Sequence, residues 1–336
     1  MRPLHTLSAI TVTVALLLAA PAAATTIKIA TIAPEDSPWH EVLQNMARAW
    51  EEASGGSIKT RLYPGGIAGD ESDLIRKMRV GQLDAAMLTS GSLPEIARQL
   101  SVLHMPLTIE TYGELDYVMA KLGPRFEELL LEQGFRTLAW GDVGWLHLFT
   151  TTPVVRPEDL RPLRLFMWSS NSRYIDVWKN MGFNPVPAPA TEIHTALTTG
   201  MIQAVIVPPI AALSFQWFAL ANHMTDMPWV PMVGAVVMTE RSWQKVPKEL
   251  RGRFMEIAAA ANAQFKSKIR AVAPQAIAAM KAHGLEVHEV PPEALAQWRA
   301  GVEKGFSGLV GEDVPADLLA RMQSLVAEHR TRLSQQ

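Results

Sequence analysis

One order of elements is written twice into this chain, and it restricts the fold more than any other feature. From Thr25, the apolar residues Ile27 and Ile29 alternate with polar neighbours, as in a half-buried strand. Ser37 followed by Pro38 reads as an N-cap with proline in the first turn. Val42, Met46 and Ala49, flanked by Leu43, Ala47 and Trp50, then recur at helical spacing until Gly55-Gly56 stops the helix. Ile58, Thr60 and Leu62 alternate again, up to a turn at Pro64-Gly65-Gly66. Asp70 caps a second helix through Leu74 and Met78, closed by Gly81, and Leu83 to Leu88 is a short strand of buried type.

The order recurs further on. Leu163 to Trp168 reads as a strand, and Asn171 or Ser172 starts a helix that ends at Gly182. Pro185 to Pro187 is short and extended. Thr191 caps a helix that ends at Gly200, with Glu192 in the first turn, where the helix dipole favours a carboxylate. Met201 to Val207 is an apolar strand. A β-α-β-α-β order gives a largely parallel sheet with helices on its faces. Two such halves predict an α/β protein with two lobes around a ligand cleft. In open α/β sheets ligands gather beyond the carboxyl ends of the strands, which puts Thr89, Ser90, Trp168 and Val207 beside that cleft.

The rest of the chain ties the halves together. Gly234 to Thr239 is an apolar strand expected to cross back to the first lobe and make a hinge. Pro247 to His283 is one long alanine-rich helix that Pro274 is expected to kink. Leu285 to His288 returns as an edge strand, and further helices follow. The predicted division is lobe I over 25–145 and 234–284, and lobe II over 146–233 and 285–330.

The N-terminus predicts the compartment. Arg2 and His5 precede an apolar run from Leu7 to Ala20, too short to span a bilayer, and the small residues Pro21-Ala22-Ala23-Ala24 follow it. That is the pattern of a secretory signal peptide over residues 1–24, cleaved after Ala24, and it implies a periplasmic protein. The 336 residues contain no cysteine, so no disulfide framework, thiolate chemistry or lipid-anchoring thiol is available. A formal net charge of −2 without a basic block argues against nucleic acid as a partner.

Catalytic and metal motifs are missing from the linear pattern. His40, His104, His147, His194 and His223 stand singly, and no H-E-x-x-H pair puts two of them on one helix face. There is no G-x-S-x-G elbow. Gly65, Gly66 and Gly69 lack the lysine-serine/threonine pair of a phosphate loop. The expectation is a binding protein rather than an enzyme, with no cofactor and no metal.

Several segments together carry a family resemblance. Glu158-Asp159-Leu160-Arg161-Pro162-Leu163-Arg164-Leu165 and Thr191-Glu192-Ile193-His194-Thr195-Ala196-Leu197-Thr198-Thr199-Gly200 are the fullest. Tyr63-Pro64-Gly65-Gly66, Arg79-Val80-Gly81-Gln82-Leu83-Asp84, Leu103-His104-Met105-Pro106-Leu107 and Ser242-Trp243-Gln244-Lys245-Val246-Pro247 support them. In order and spacing, from about Thr25 to Val290, the chain resembles the solute-binding subunits of tripartite ATP-independent periplasmic (TRAP) transporters. The resemblance implies a two-lobed, type II-like periplasmic-binding-protein fold that closes on one small molecule. It also implies delivery to the small and large subunits of a membrane permease, with a monomer as the simplest shuttle.

Departures from the family pattern bear on the ligand. The family's main carboxylate-binding arginine ends the first segment, and here Phe166 stands in its place. A second common arginine follows a glycine-aromatic pair, but Gly144-Trp145 is followed by Leu146. A cleft asparagine on the last strand of the second lobe is replaced by Val207, and Ile206-Val207 also removes the pattern by which some members hold a metal beside the solute. Arginine grips a carboxylate through a planar, bidentate, charge-assisted pair. A carboxylate buried without one costs several kcal/mol. An apolar solute instead gains roughly 25 cal/mol for each Å² it buries.

The expected ligand is therefore uncharged or largely apolar, with Trp39, Trp145, Phe166 and Trp168 as candidate walls and Thr89, Leu146 and Val207 beside them. One alternative is an organic acid held by a non-standard arginine, Arg164 on the face of Phe166 or Arg173 in the following helix. Another is a periplasmic chaperone or sensor of apolar molecules.

Overall fold

The computed structural model describes residues 24–168 and 172–335. The segment read as a signal peptide lies outside the described residues except for Ala24, as does Asn171, one of the two candidate helix starts. The strands are β1 (Thr25–Ala30), β2 (Ile58–Tyr63), β3 (Ala85–Thr89), β4 (Phe135–Trp145), β5 (His147–Thr150), β6 (Arg164–Trp168), β7 (Asn184–Ala188), β8 (Ala204–Val207), β9 (His223–Asp226), β10 (Pro231–Thr239) and β11 (Glu286–Glu289). They form two sheets, ordered β2-β1-β3-β10-β4 and β11-β9-β5-β8-β6-β7.

Parallel pairing is confined to part of each sheet. β2, β1 and β3 run parallel, as do β7, β6 and β8, and these are the strands of the two repeated units. β10 is antiparallel to both of its neighbours, and β5 is antiparallel to β8 and β9. The expectation of largely parallel sheets fails at these strands because the chain changes sheets beside them. It passes from β4 to β5 through Leu146 and returns from β9 to β10 through 227–230. The two passages are bonded to each other: the Leu146 amide donates to the Val230 carbonyl at 2.9 Å, and the Trp229 amide donates to the Leu146 carbonyl at 2.8 Å.

The helices begin and stop for the reasons their sequences suggest, with two exceptions. In the first helix, Pro38–Ala53, the Ser37 hydroxyl accepts from the His40 amide, and Gly55 and Gly56 take the left-handed backbone that ends it. Asp70 holds the N-cap place of the helix Glu71–Arg79, but its side chain makes no cap hydrogen bond. Thr191 is not an N-cap: it lies inside a 3₁₀ turn, Ala190–Glu192, that leads into the helix Ile193–Thr198.

A helix of 35 residues, Lys248–Ala282, lies along both halves, with Pro274 inside it. It packs against β4 and the first helix on one side and against the short helix Pro209–Ser214 on the other. Trp50 of the first helix stacks on Phe254 of the long one, ring centroids 4.7 Å apart. β11 then joins the edge of the second sheet beside β9.

The last helix, Ala316–Ser334, does not stay with the second half. It packs on the helix Tyr112–Glu132, where Arg330 pairs with Glu114 at 2.7 Å and the Tyr117 hydroxyl donates to Glu328 at 2.6 Å. Its buried Leu319, Met322, Leu325 and Val326 share a cluster with Leu115, Val118 and Leu122, and this apolar face decides where it docks. Among the described residues, no helix is long and apolar enough to cross a membrane.

Candidate functional site

The carboxyl ends of β1, β3, β6 and β8 open onto one cavity of ≈ 630 Å³ between the two sheets. The first half contributes Thr31 and Ala33 beyond β1, Trp39 of the first helix, Glu71, and Met87 and Thr89 of β3. The second half contributes Trp168, Ile193, Val207, Ala211, Phe215 and Trp217. Among the described residues, no lysine or arginine lines this cavity. Its polar side chains are Thr31, Thr89 and Glu71.

Trp39, Thr89, Trp168 and Val207, four of the seven candidate residues, meet here. Leu146 and Phe166 line an adjoining cavity of ≈ 440 Å³ instead, with His104, Tyr174, Trp178 and Trp229 among its walls, and Trp168 borders both spaces. Phe166 stands behind Trp168, edge to face, with ring centroids 5.1 Å apart. Trp145 lines neither of these cavities. It is half-buried and packs edgewise on Tyr112 at 5.7 Å.

The two alternative arginines are committed elsewhere. Arg164 donates to the Met201 carbonyl at 3.0 Å and to the Gly200 carbonyl, at the far end of β6 from the cavity. Arg173 pairs with Glu312 and, at 3.2 Å, with Asp313.

Glu71 is the residue that sequence reasoning passed over. It is 1 % exposed, yet it begins a helix and borders the cavity. The Thr89 amide donates to one carboxylate oxygen at 2.9 Å and the Thr89 hydroxyl to the other at 2.8 Å. Burial pushes its pKa up to about 7; hydrogen bonds from Ser92 and Thr89 oppose the rise, and the neighbouring Asp70 charge adds to it. The available signal was its place, one residue after a cap and just past the Pro64-Gly65-Gly66 turn. His104, at the wall of the adjoining cavity, is driven the other way: burial holds its imidazole down to about 4, and its Nε2 has no partner among the described residues. The indole N–H groups of Trp39 and Trp168 are likewise buried, with no acceptor among the described residues.

The two halves touch across the cleft at positions where only glycine leaves room. A Cβ on Gly66, whose φ is +73°, would lie 2.7 Å from the Thr191 methyl group. Asp70 is buried beside this contact. Its carboxyl is raised by burial, while the amides of Glu71 and Ala190 pull it down.

Comparison with known proteins places these features. The profile of bacterial extracellular solute-binding protein, family 7 (DctP), matches residues 29–307. The 2,3-diketo-L-gulonate-binding periplasmic protein YiaO of Escherichia coli is 25% identical over 244 residues, 70% of this chain and 73% of that protein. The sialic acid-binding periplasmic protein SiaP of Vibrio cholerae is 20% identical over 322 residues, 94% of this chain and 100% of that one. Among solved structures, the sugar acid binding protein DctPAm from Advenella mimigardefordensis, in complex with galactonate, superposes with a TM-score of 0.86 at 17% identity, covering 91% of this chain and 99% of that one. A TRAP periplasmic solute binding protein from Ralstonia eutropha H16, with bound (S)-2-acetolactate, gives 0.84 at 21% identity, covering 90% and 99%. At these identities the superpositions establish the two-lobed fold.

Proposed function

Since the chain belongs to bacterial extracellular solute-binding protein family 7, the periplasmic solute-binding subunits of TRAP transporters, we propose that it captures a small, uncharged or largely apolar solute and passes it to the small and large permease subunits. In this mechanism residues 25–145 and 234–284, with the last helix Ala316–Ser334 docked on them, close against 146–233 and 285–315 as a monomer. Trp39, Thr89, Trp168 and Val207 contact the solute directly, and Phe166 and Leu146 support the wall behind Trp168.

The observation that carries this reading is the make-up of the cleft. Among the described residues no cation borders the cavity, and the one charged side chain there is an acid held by burial at a raised pKa. A carboxylate placed there would be desolvated beside Glu71 with no guanidinium to pair it, at a cost of several kcal/mol. A solute of carbon with one or two oxygens would bury apolar surface instead. The Trp39 and Trp168 indoles, which have no acceptor among the described residues, and the Thr31 hydroxyl are uncharged donors for such oxygens.

A second reading, an organic acid, draws its support from the relatives, whose described ligands are acids such as galactonate, D-glucuronate and succinate. For this chain it requires a grip other than Arg164 and Arg173, both of which are bonded away from the cavity.

Protein purified without refolding, with its retained ligand identified by mass spectrometry, separates the two. An uncharged or aromatic molecule, bound more weakly by Trp168→Ala, supports the apolar reading. A sugar acid or dicarboxylate bound in the micromolar range, and left untouched by Phe166→Ala and Trp168→Ala, overturns it in favour of the organic acid.

A further inference from the structure

Away from the cleft, the fold brings His223 up to two ligand-type side chains far along the sequence, Glu286 and His288. β9 and β11 run parallel at the edge of the second sheet, with Glu286 in register with His223 and His288 with Thr225. Glu286 and His288 are two residues apart on one strand, so their side chains leave the same face of the sheet. His223 reaches both of them. Its Nδ1 lies 3.0 Å from His288 Nε2 and 3.6 Å from Glu286 Oε2, and one donor atom from each of the three residues falls within 4.8 Å of the others.

We propose that His223, Glu286 and His288 form a peripheral binding site for a first-row divalent cation of the zinc type. Two imidazole nitrogens and one carboxylate oxygen are a donor set that suits such a cation, with water completing the fourth position. Zinc–nitrogen bonds of about 2.0–2.1 Å in a tetrahedral site set two ligating nitrogens about 3.3 Å apart. The two histidines need to open by only a few tenths of an ångström to reach that. Glu286, with its side chain 63% exposed, is free to turn toward them. Hard cations that demand several oxygens, such as magnesium, are a poor match for this set.

The position gives the site a structural consequence. β11 is a four-residue edge strand, held in the sheet through β9 alone, and it is the first element after the long helix that lies along both halves. A cation shared by β9 and β11 fastens that end of the helix to the second sheet. None of the three ligands lines the cleft cavity, so cation and solute bind at separate places, whatever the solute is.

The test is titration calorimetry of the whole secreted protein, stripped with chelator, against Zn²⁺, with Mg²⁺ as the control. One zinc per chain in the micromolar range is expected. His288→Ala and Glu286→Gln, both on the edge strand, should each weaken it by about tenfold or more, as loss of a ligand costs at least what loss of a ligand's supporting partner does. Zinc should raise the thermal midpoint of the parent protein and not that of His288→Ala, whose zinc-free midpoint and circular dichroism serve as the check on folding. No saturable zinc binding would overturn the site. So would zinc binding with equal affinity to the parent and both variants, which would place the cation on other histidines.

Discussion

Trp168 of the second half packs on Gly91 of the first: a Cβ on Gly91 would stand 3.6 Å from two carbons of the indole ring. The ring that borders the cavity therefore also sits against the backbone of the first half. Gly91 is not in the left-handed region, so a side chain there is limited by space and not by backbone strain. Gly91→Leu should push the Trp168 ring away and wedge the halves apart, costing about 1–3 kcal/mol as overpacking does. Solution scattering should report a larger radius of gyration than the parent. An unchanged radius and unchanged solute affinity would mean that the contact does not govern closure.

Phe166 supports that ring from behind and is 2 % exposed. Phe166→Ala removes the edge-to-face partner and leaves a void, so urea unfolding should show a loss of about 3 kcal/mol. With the ring unsupported, solute affinity should fall as well. A fall in stability with affinity intact would confine Phe166 to packing.

Much of the frame was legible because glycine, proline and period mark it directly. Ser37-Pro38 opens a helix and Gly55-Gly56 closes it because capping and left-handed backbone are local chemistry. The same local rules placed Thr89, Trp168 and Val207 at the ends of strands and so at the cleft. Local rules do not reach whatever depends on the path between the halves. Leu146 reads as a cleft residue by its place in the family pattern, yet it is the point where the chain crosses from one sheet to the other, and its backbone is used up by Trp229 and Val230. Thr191 has the composition of a cap, but its methyl group serves as a contact over Gly66. His223 and His288 are isolated in sequence, and only the β9–β11 pairing makes them neighbours.

Glu71 predicts a pH dependence whose sign is fixed by burial. Its folded pKa of about 7 lies above the ordinary glutamate value near 4.3, so the folded state holds the proton more tightly than the unfolded chain. The stability this contributes is present in full below pH 4.3 and is lost as the pH rises through 7. The difference amounts to something on the order of 3 kcal/mol. Glu71→Gln keeps an acceptor for the Thr89 amide and removes the titration, so its unfolding free energy should lose that slope between pH 4.5 and 7.5. Parallel urea curves for parent and variant across this range would show that Glu71 does not titrate there.

Arg270 tests the opposite arrangement, a buried acid that does have its cation. From the long helix it donates to Asp142 of β4 at 2.6 Å, grips Asp116 with two bonds of 2.8 and 2.6 Å, and lies 4.2 Å from the centre of the Tyr112 ring. Asp142 is 6 % exposed, and burial already raises its carboxyl above the ordinary value despite the guanidinium beside it. Arg270→Ala leaves that acid with only the charge of Lys266 nearby and should cost about 3 kcal/mol at neutral pH. With the cation gone, the folded pKa of Asp142 rises further. The variant's deficit should therefore shrink as the pH falls and the acid takes up its proton, and grow as the pH rises and the acid ionises. Asp142→Asn in the same chain should recover part of the loss at pH 8 by removing the unpaired charge. If the double variant were no more stable than Arg270→Ala alone, the cost would belong to Asp116 and the Tyr112 ring rather than to a stranded charge on β4.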